Sequence, residues 1–160
     1  MSPVGALAAR DLRLVAAARR VRERAHAPYS EFKVGAALRM RGGRVFEGCN
    51  VENVSLGAGI CAERGAVLQA VAAGMRPGDL EAVAVYTEGD RLTPPCGMCL
   101  QVLVEFGRKV DVFLAGPKGV RRTKLAALYP SRSRTSRRAV VPPSAPRHGG
   151  SRKAPTGARR

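Results

Sequence analysis

The chain has 160 residues, 45% of them hydrophobic but only 4% aromatic and none Trp, so a single domain must build its core mainly from Ala, Val and Leu. No apolar run is long enough to cross a membrane, and Met1–Leu14 lacks the continuous apolar stretch and small-residue cleavage site of a secretory leader. The expected compartment is the cytoplasm, where four cysteines stay reduced or bind metal rather than pair with one another. The formal net charge is +16, but nine of the 28 Lys/Arg and none of the 12 Asp/Glu fall in residues 131–160.

Asp11 to Ala27 predicts an amphipathic helix, with Leu14, Ala18, Val21 and Ala25 recurring at helical spacing and arginines on the other faces. Pro28 sets its end. Phe32 to Met40 alternates at period two, placing Phe32, Val34, Ala36, Leu38 and Met40 on one face of a strand. Gly42-Gly43 turns the chain, and Arg44–Gly48 returns as the hairpin partner. Asn50 to Gly59 is a loop rich in Asn and Gly.

Cys61 to Ala73 predicts a helix with a face of small residues, stopped by Gly74. Leu80–Tyr86 is a buried strand, Thr87–Leu92 a polar loop, and Gly97–Phe106 a short helix after Thr93-Pro94-Pro95. Val110–Ala115 and Val120–Thr123 are strands about a Gly116–Gly119 turn, and Lys124–Tyr129 gives a last helical turn.

The order α-β-β-α-β-α-β-β-α predicts an α/β fold, a three-layer α-β-α arrangement with a mixed sheet of about five strands. The crossovers through the Cys61 and Cys96 helices are of the kind that join parallel strands. Such connections bring helix N-termini to the carboxyl ends of strands, so Cys61 should meet Cys96 and Cys99 at one rim of the sheet. The domain is expected over 1–130. Residues 131–160, dominated by Ser, Arg, Pro, Gly and Ala, are expected to form a disordered basic tail. A nucleic acid or another acidic partner would suit its charge.

The residues with chemistry in them are Cys61-Ala62-Glu63 and Pro95-Cys96-Gly97-Met98-Cys99. Cys-x-x-Cys in a first helical turn puts two sulfurs on one face, and the helix N-terminus favours thiolates. A third thiolate completes a tripod for Zn2+ and leaves a fourth position for water, which zinc acidifies. Glu63 lies near enough to take that water's proton and deliver it to a substrate nitrogen. A lone Cys-x-x-Cys would also fit a redox pair, and two would fit a structural zinc ribbon. The first half here is Cys-Ala-Glu, which argues against a closed four-cysteine site. Cys49 is expected to be a small buried residue rather than a ligand.

Cys-Ala-Glu followed by Pro-Cys-x-x-Cys is the signature pattern of zinc deaminases. The chain also resembles, from about Ala27 to Pro130, the small homotetrameric cytidine deaminases of pyrimidine salvage. The resemblance runs through Pro28-Tyr29-Ser30-Glu31-Phe32-Lys33-Val34-Gly35, Gly48-Cys49-Asn50-Val51-Glu52-Asn53, Cys61-Ala62-Glu63-Arg64 and Pro95–Leu103, in that order. It implies hydrolytic deamination of cytidine and 2′-deoxycytidine, with zinc-bound hydroxide attacking C4 and Glu63 shuttling protons. It further implies that Phe32 packs near the nucleoside, that Asn50 and Glu52 bind ribose hydroxyls, and that Ala62 and Glu63 read the pyrimidine edge. Arg64 would offset the negative charge of the thiolates. From the residues alone, Asn50 and Asn53 are turn formers and Phe32 is core.

Three positions depart from the family pattern: Leu100 stands where an arginine is usual, Leu56 where an aromatic is common, and no Phe follows Leu128-Tyr129-Pro130. The alternatives to a free-nucleoside deaminase are a deaminase of another cytosine-containing small molecule or of nucleic acid, and a non-enzymatic zinc-stabilised nucleic-acid binder. Asn50-x-Glu52 suits a small ribose, and Glu63 with an open coordination position argues against the last.

Overall fold

The computed structural model describes residues 7–130; the basic tail expected over 131–160 lies outside them. The elements are α1 (Ala9–Arg22), β1 (Val34–Met40), β2 (Val45–Cys49), α2 (Ala62–Ala72), β3 (Leu80–Thr87), α3 (Gly97–Phe106), β4 (Asp111–Gly116), β5 (Gly119–Lys124) and α4 (Leu125–Leu128). These are the nine elements expected, in the expected order. A 3-10 turn, Leu56–Ala58, is added within the long loop.

The five strands form one mixed sheet in the order β2-β1-β3-β4-β5. β1 is antiparallel to both β2 and β3, β3 is parallel to β4, and β5 is antiparallel to β4. The crossover through α2 therefore joins strands that point the same way, as expected, but β1 lies between them. Pairing the first two strands as a hairpin still leaves β1 a free edge, which β3 takes.

α1 packs on one face against alanines, with Leu14, Ala17 and Ala18 on Ala37, Ala82, Ala84 and Phe113. α2 and α3 pack on the other, where Leu38, Met40, Val83, Val85, Val112 and Leu114 meet Val67, Leu103 and Leu125. β1 is thus buried on both faces. Its Leu38 and Met40 fill the α2/α3 layer and its small residues admit α1.

One helix end and one strand start differ from the sequence pattern for identifiable reasons. α1 stops at Arg22 rather than Ala27, because His26 turns to pair with the backbone of Asn50 and Glu52 (3.0 and 2.8 Å). β1 begins at Val34 rather than Phe32, because the Asn50 side chain occupies the Phe32 carbonyl and the Val34 N–H. Both diversions serve the site described next. One buried ion pair ties α1 to the sheet: Arg39 reaches Asp11 at 2.9 Å, and the two side chains are 6% and 7% exposed. Among the described residues, no helix is long and apolar enough to cross a membrane.

Candidate active site

Cys61 is the residue immediately before α2, and Cys96 the residue immediately before α3. Their positions follow from packing. α2 lies directly on Gly48 of β2, where a Cβ would sit 2.4 Å from both the Ala62 carbonyl oxygen and the Ala66 nitrogen. α3 follows the chain out of β3 and back over the same face. The two helix N-termini consequently converge at one rim of the sheet, as expected from the crossovers.

The Cys61 and Cys96 sulfurs lie 3.9 Å apart, Cys96 and Cys99 3.6 Å, and all three within 4.8 Å of one another. Tetrahedral zinc with Zn–S bonds of about 2.3 Å has S···S edges of about 3.8 Å. The donor set fits zinc and leaves a fourth position open. Cys49 is half-buried on β2 and takes no part in this group.

The electrostatics agree. Burial pushes the Cys99 thiol strongly up, and the Glu63 carboxylate and the neighbouring sulfurs add to it. Burial also raises Cys61, against a bond from Arg64. At Cys96 burial acts upward too, but hydrogen bonds from the Cys99 backbone and the adjacent sulfurs prevail, and this thiol falls below its ordinary value. Three thiolates at such spacing repel one another, and a bound cation is what lets all of them ionise.

Glu63, in the first turn of α2, is 4% exposed, and burial pushes its carboxyl above the usual range. Its Oε2 accepts from the Cys99 thiol at 3.5 Å. Arg64 donates to the Gly59 carbonyl at 2.9 Å and to the Cys61 sulfur at 3.8 Å.

A cavity of about 240 Å³ opens beside the sulfurs, and Phe32, Asn50, Glu52, Ala62 and Glu63 all line it. The structure thus brings every candidate residue of the sequence to one place, Arg64 included through its bond to Cys61. Asn50 is held by its Oδ1, which accepts from the Val34 N–H (2.8 Å), and by its Nδ2, which donates to the Phe32 carbonyl (2.9 Å). Glu52 Oε2 accepts from the Tyr29 and Ser30 N–H groups at 2.9 and 3.2 Å, and its Oε1 accepts from the Ser30 hydroxyl. These bonds, led by the Ser30 hydroxyl, hold the Glu52 carboxyl below its usual range.

Ser30, Thr93 and Pro94 also line the cavity and were not singled out in the sequence. Nothing local marks Ser30, whose partner lies 22 residues on. The departures find their places too. Leu100 is buried in the core cluster with Leu103 and Leu125, Leu56 is 88% exposed and lines an adjoining hollow that shares Asn50, Glu52 and Cys61 with this cavity, and Tyr129 turns back to bond Gln101 of α3 at 3.0 Å.

Three thiols at helix N-termini around an open coordination position, with a buried carboxylate alongside, are the machinery of a zinc-dependent hydrolase. Residues 8–115 match the profile of the cytidine and deoxycytidylate deaminase zinc-binding region. A cytidine deaminase of Sporosarcina psychrophila is 42% identical over 120 residues, covering 74% of this chain and 87% of the relative. The crystal structure of a cytidine deaminase from Burkholderia pseudomallei superposes with a TM-score of 0.73 at 48% identity, over 76% of this chain and 98% of that one. The corresponding structure from Mycobacterium tuberculosis gives 0.65 at 37% identity, over 75% and 94%. The chain belongs to the cytidine and deoxycytidylate deaminase family, and zinc is its cofactor.

Proposed function

We propose that this protein hydrolyses cytidine and 2′-deoxycytidine to uridine and 2′-deoxyuridine, releasing ammonia, as a step of pyrimidine salvage. The observation that carries the reading is one small cavity lined by Glu63, Cys61, Cys96 and the Asn50/Glu52 pair, with the Cys99 sulfur directly beside the other two. Cys61, Cys96 and Cys99 would hold zinc, which when bound would supply Lewis acidity to bring the attacking water's pKa toward neutrality.

The remaining work falls to the chain. Glu63 takes a proton from the water as its oxygen adds to C4 and gives it to ring N3. It then moves a second proton to the exocyclic amine. The C4–N bond breaks, ammonia leaves, and a C4 carbonyl remains, so water and cytidine balance uridine and ammonia. A carboxyl raised by burial suits this, because a group that both accepts and returns protons works best with a pKa closer to the operating pH. Its bond from Cys99 requires the thiol proton. A Cys99 thiolate on a metal has none, which leaves the Glu63 oxygen for water and substrate. The first-turn N–H of Ala62 has no intrahelical partner and is available to the pyrimidine's polar edge. Phe32, 41% exposed, offers a ring face to the nucleoside.

A carboxylate has about four lone-pair sites, and on Glu52 three are already taken. Asn50 retains one N–H. One sugar hydroxyl can donate to the first and accept from the second, which fits acceptance of ribose and 2′-deoxyribose alike. A homotetramer is the assembly that goes with this reading, and exposed Leu68 and Val71 of α2 with Leu56 and Met98 supply apolar surface for it. The cytoplasm is the compartment that keeps the thiols reduced for metal. A contribution of the basic tail to binding acidic partners remains separate from this chemistry.

The test is direct. Zinc-loaded protein incubated with cytidine should lose cytosine absorbance, and Glu63→Ala should not. Folded, zinc-loaded parent that leaves cytidine intact would refute the proposal.

A further inference from the structure

The segment from His26 to Val34 is laced to Asn50–Glu52 by eight hydrogen bonds, and one side chain joins the two proposed substrate contacts. The Ser30 hydroxyl donates to Glu52 Oε1 and accepts from the Phe32 N–H at 3.1 Å. The turn that allows this is specific: Glu31 sits at φ +57°, the left-handed region that non-glycine residues seldom adopt. That conformation reverses the chain between Ser30 and Phe32, so the hydroxyl faces Glu52 while the Phe32 ring faces the cavity.

We infer that Ser30 is a positioning residue for sugar recognition: its hydroxyl fixes the Glu52 carboxylate in one orientation and leaves it a single open acceptor site for a single sugar hydroxyl. The inference rests on the nucleoside reading above. Without the hydroxyl, Oε1 would lose the one bond it receives among the described residues while Oε2 kept the Tyr29 and Ser30 N–H groups. The carboxylate could then pivot about Oε2, and solvent would compete for the site that the sugar needs. The same hydroxyl is the foremost reason the Glu52 carboxyl is held below its usual range. The Ser30 hydroxyl bonds Glu52 and the Phe32 N–H rather than the sulfurs or Glu63, so its removal should weaken substrate binding and spare the chemical step.

The experiment compares parent, Ser30→Ala and Ser30→Thr on cytidine and on 2′,3′-dideoxycytidine, which lacks both candidate hydroxyls. Zinc content and melting temperature establish that each variant is folded. Ser30→Ala should raise KM for cytidine about tenfold, with kcat within about twofold of parent. On the dideoxynucleoside the same substitution should cost no more than about twofold, because the hydroxyl that Glu52 would hold is gone. Ser30→Thr keeps the donor and should restore the KM for cytidine. Equal losses on the two substrates would mean general loop damage and overturn the inference. So would an unchanged KM, or a Thr variant as weak as the Ala variant. A parent inert toward cytidine would instead overturn the nucleoside reading itself, and this inference with it.

Discussion

Gly48→Ala tests how the sheet places the metal site. The added Cβ would lie 2.4 Å from two backbone atoms of α2, the Ala62 oxygen and the Ala66 nitrogen, where ordinary contact begins at 3.4 Å. Neither atom belongs to a side chain that can swing away. The helix must therefore retreat by about 1 Å, and such overpacking typically costs about 1–3 kcal/mol. Cys61 directly precedes Ala62 and moves with it, whereas Cys96 and Cys99 ride on α3. Metal–ligand distances tolerate errors of only about 0.2 Å, so zinc occupancy should fall and activity should drop by about 100-fold. Gly65→Ala is the control. It lies in the same helix, but its new Cβ would have no neighbour nearer than 3.6 Å. Relief of glycine's backbone entropy in a helix interior should stabilise that variant by about 0.5–1 kcal/mol. Zinc per protomer and urea midpoints distinguish the two. Gly48→Ala protein with full zinc and the parent's midpoint would refute the reasoning, as would equal damage from Gly65→Ala.

Three further outcomes are expected. Asp11→Ala leaves the buried Arg39 guanidinium, among the described residues, with the Arg10 carbonyl oxygen and the one-third-exposed Glu81 carboxylate, each at 3.2 Å, and should cost about 3 kcal/mol in urea unfolding; a cost below about 1 kcal/mol would contradict the burial of this pair. Asn50→Ala removes bonds to Phe32 and Val34 and one donor to the sugar, so stability should fall by about 1–2 kcal/mol and KM for cytidine should rise, checked by unfolding and by kinetics. At Asp111 burial acts upward, but Arg122 and Lys124 prevail and depress the carboxyl's pKa. A depressed carboxylate adds stability above its unfolded pKa and loses it as pH falls through its folded one. Asp111→Asn should therefore cost about 0.5–1 kcal/mol at pH 7, given that both cations are more than half exposed, and nothing once the parent's Asp111 is protonated; a pH-independent difference between parent and variant would exclude this account.

Much of this was legible in the sequence because the signals are local. Period-two alternation marked β1, Gly42-Gly43 marked the hairpin, and Cys-Ala-Glu with Cys-x-x-Cys marked the metal site. Crossovers through helices on the same side of the sheet bring the cysteines to one rim. What the sequence pattern could not carry were the links set by tertiary contact. Helical periodicity continues to Ala25, yet His26 leaves the helix to pair with Asn50 and Glu52. Alternation begins at Phe32, yet Asn50 withholds Phe32 from the sheet. The order of strands was hidden because a hairpin strand can take a second neighbour on its free edge, as β1 does with β3. Ser30 carried no signal of its own, since a serine beside a turn is common and its partner is remote in sequence. Asp11 and Arg39 read as ordinary polar residues of a helix and a strand, and only the packing of α1 on β1 buries them together.

If the proposed function is right, the zinc-loaded site deaminates free cytosine nucleosides with Glu63 moving the protons. Ammonia release measures it most directly, with parent and Glu63→Gln each given cytidine, 2′-deoxycytidine and a single-stranded oligonucleotide containing dC. The parent should release ammonia from both nucleosides and none above background from the oligonucleotide. Glu63→Gln should keep its zinc and lose at least about 100-fold in rate. Ammonia from the oligonucleotide at a matching rate, no ammonia from either nucleoside, or an undiminished Glu63→Gln enzyme would contradict the proposed function.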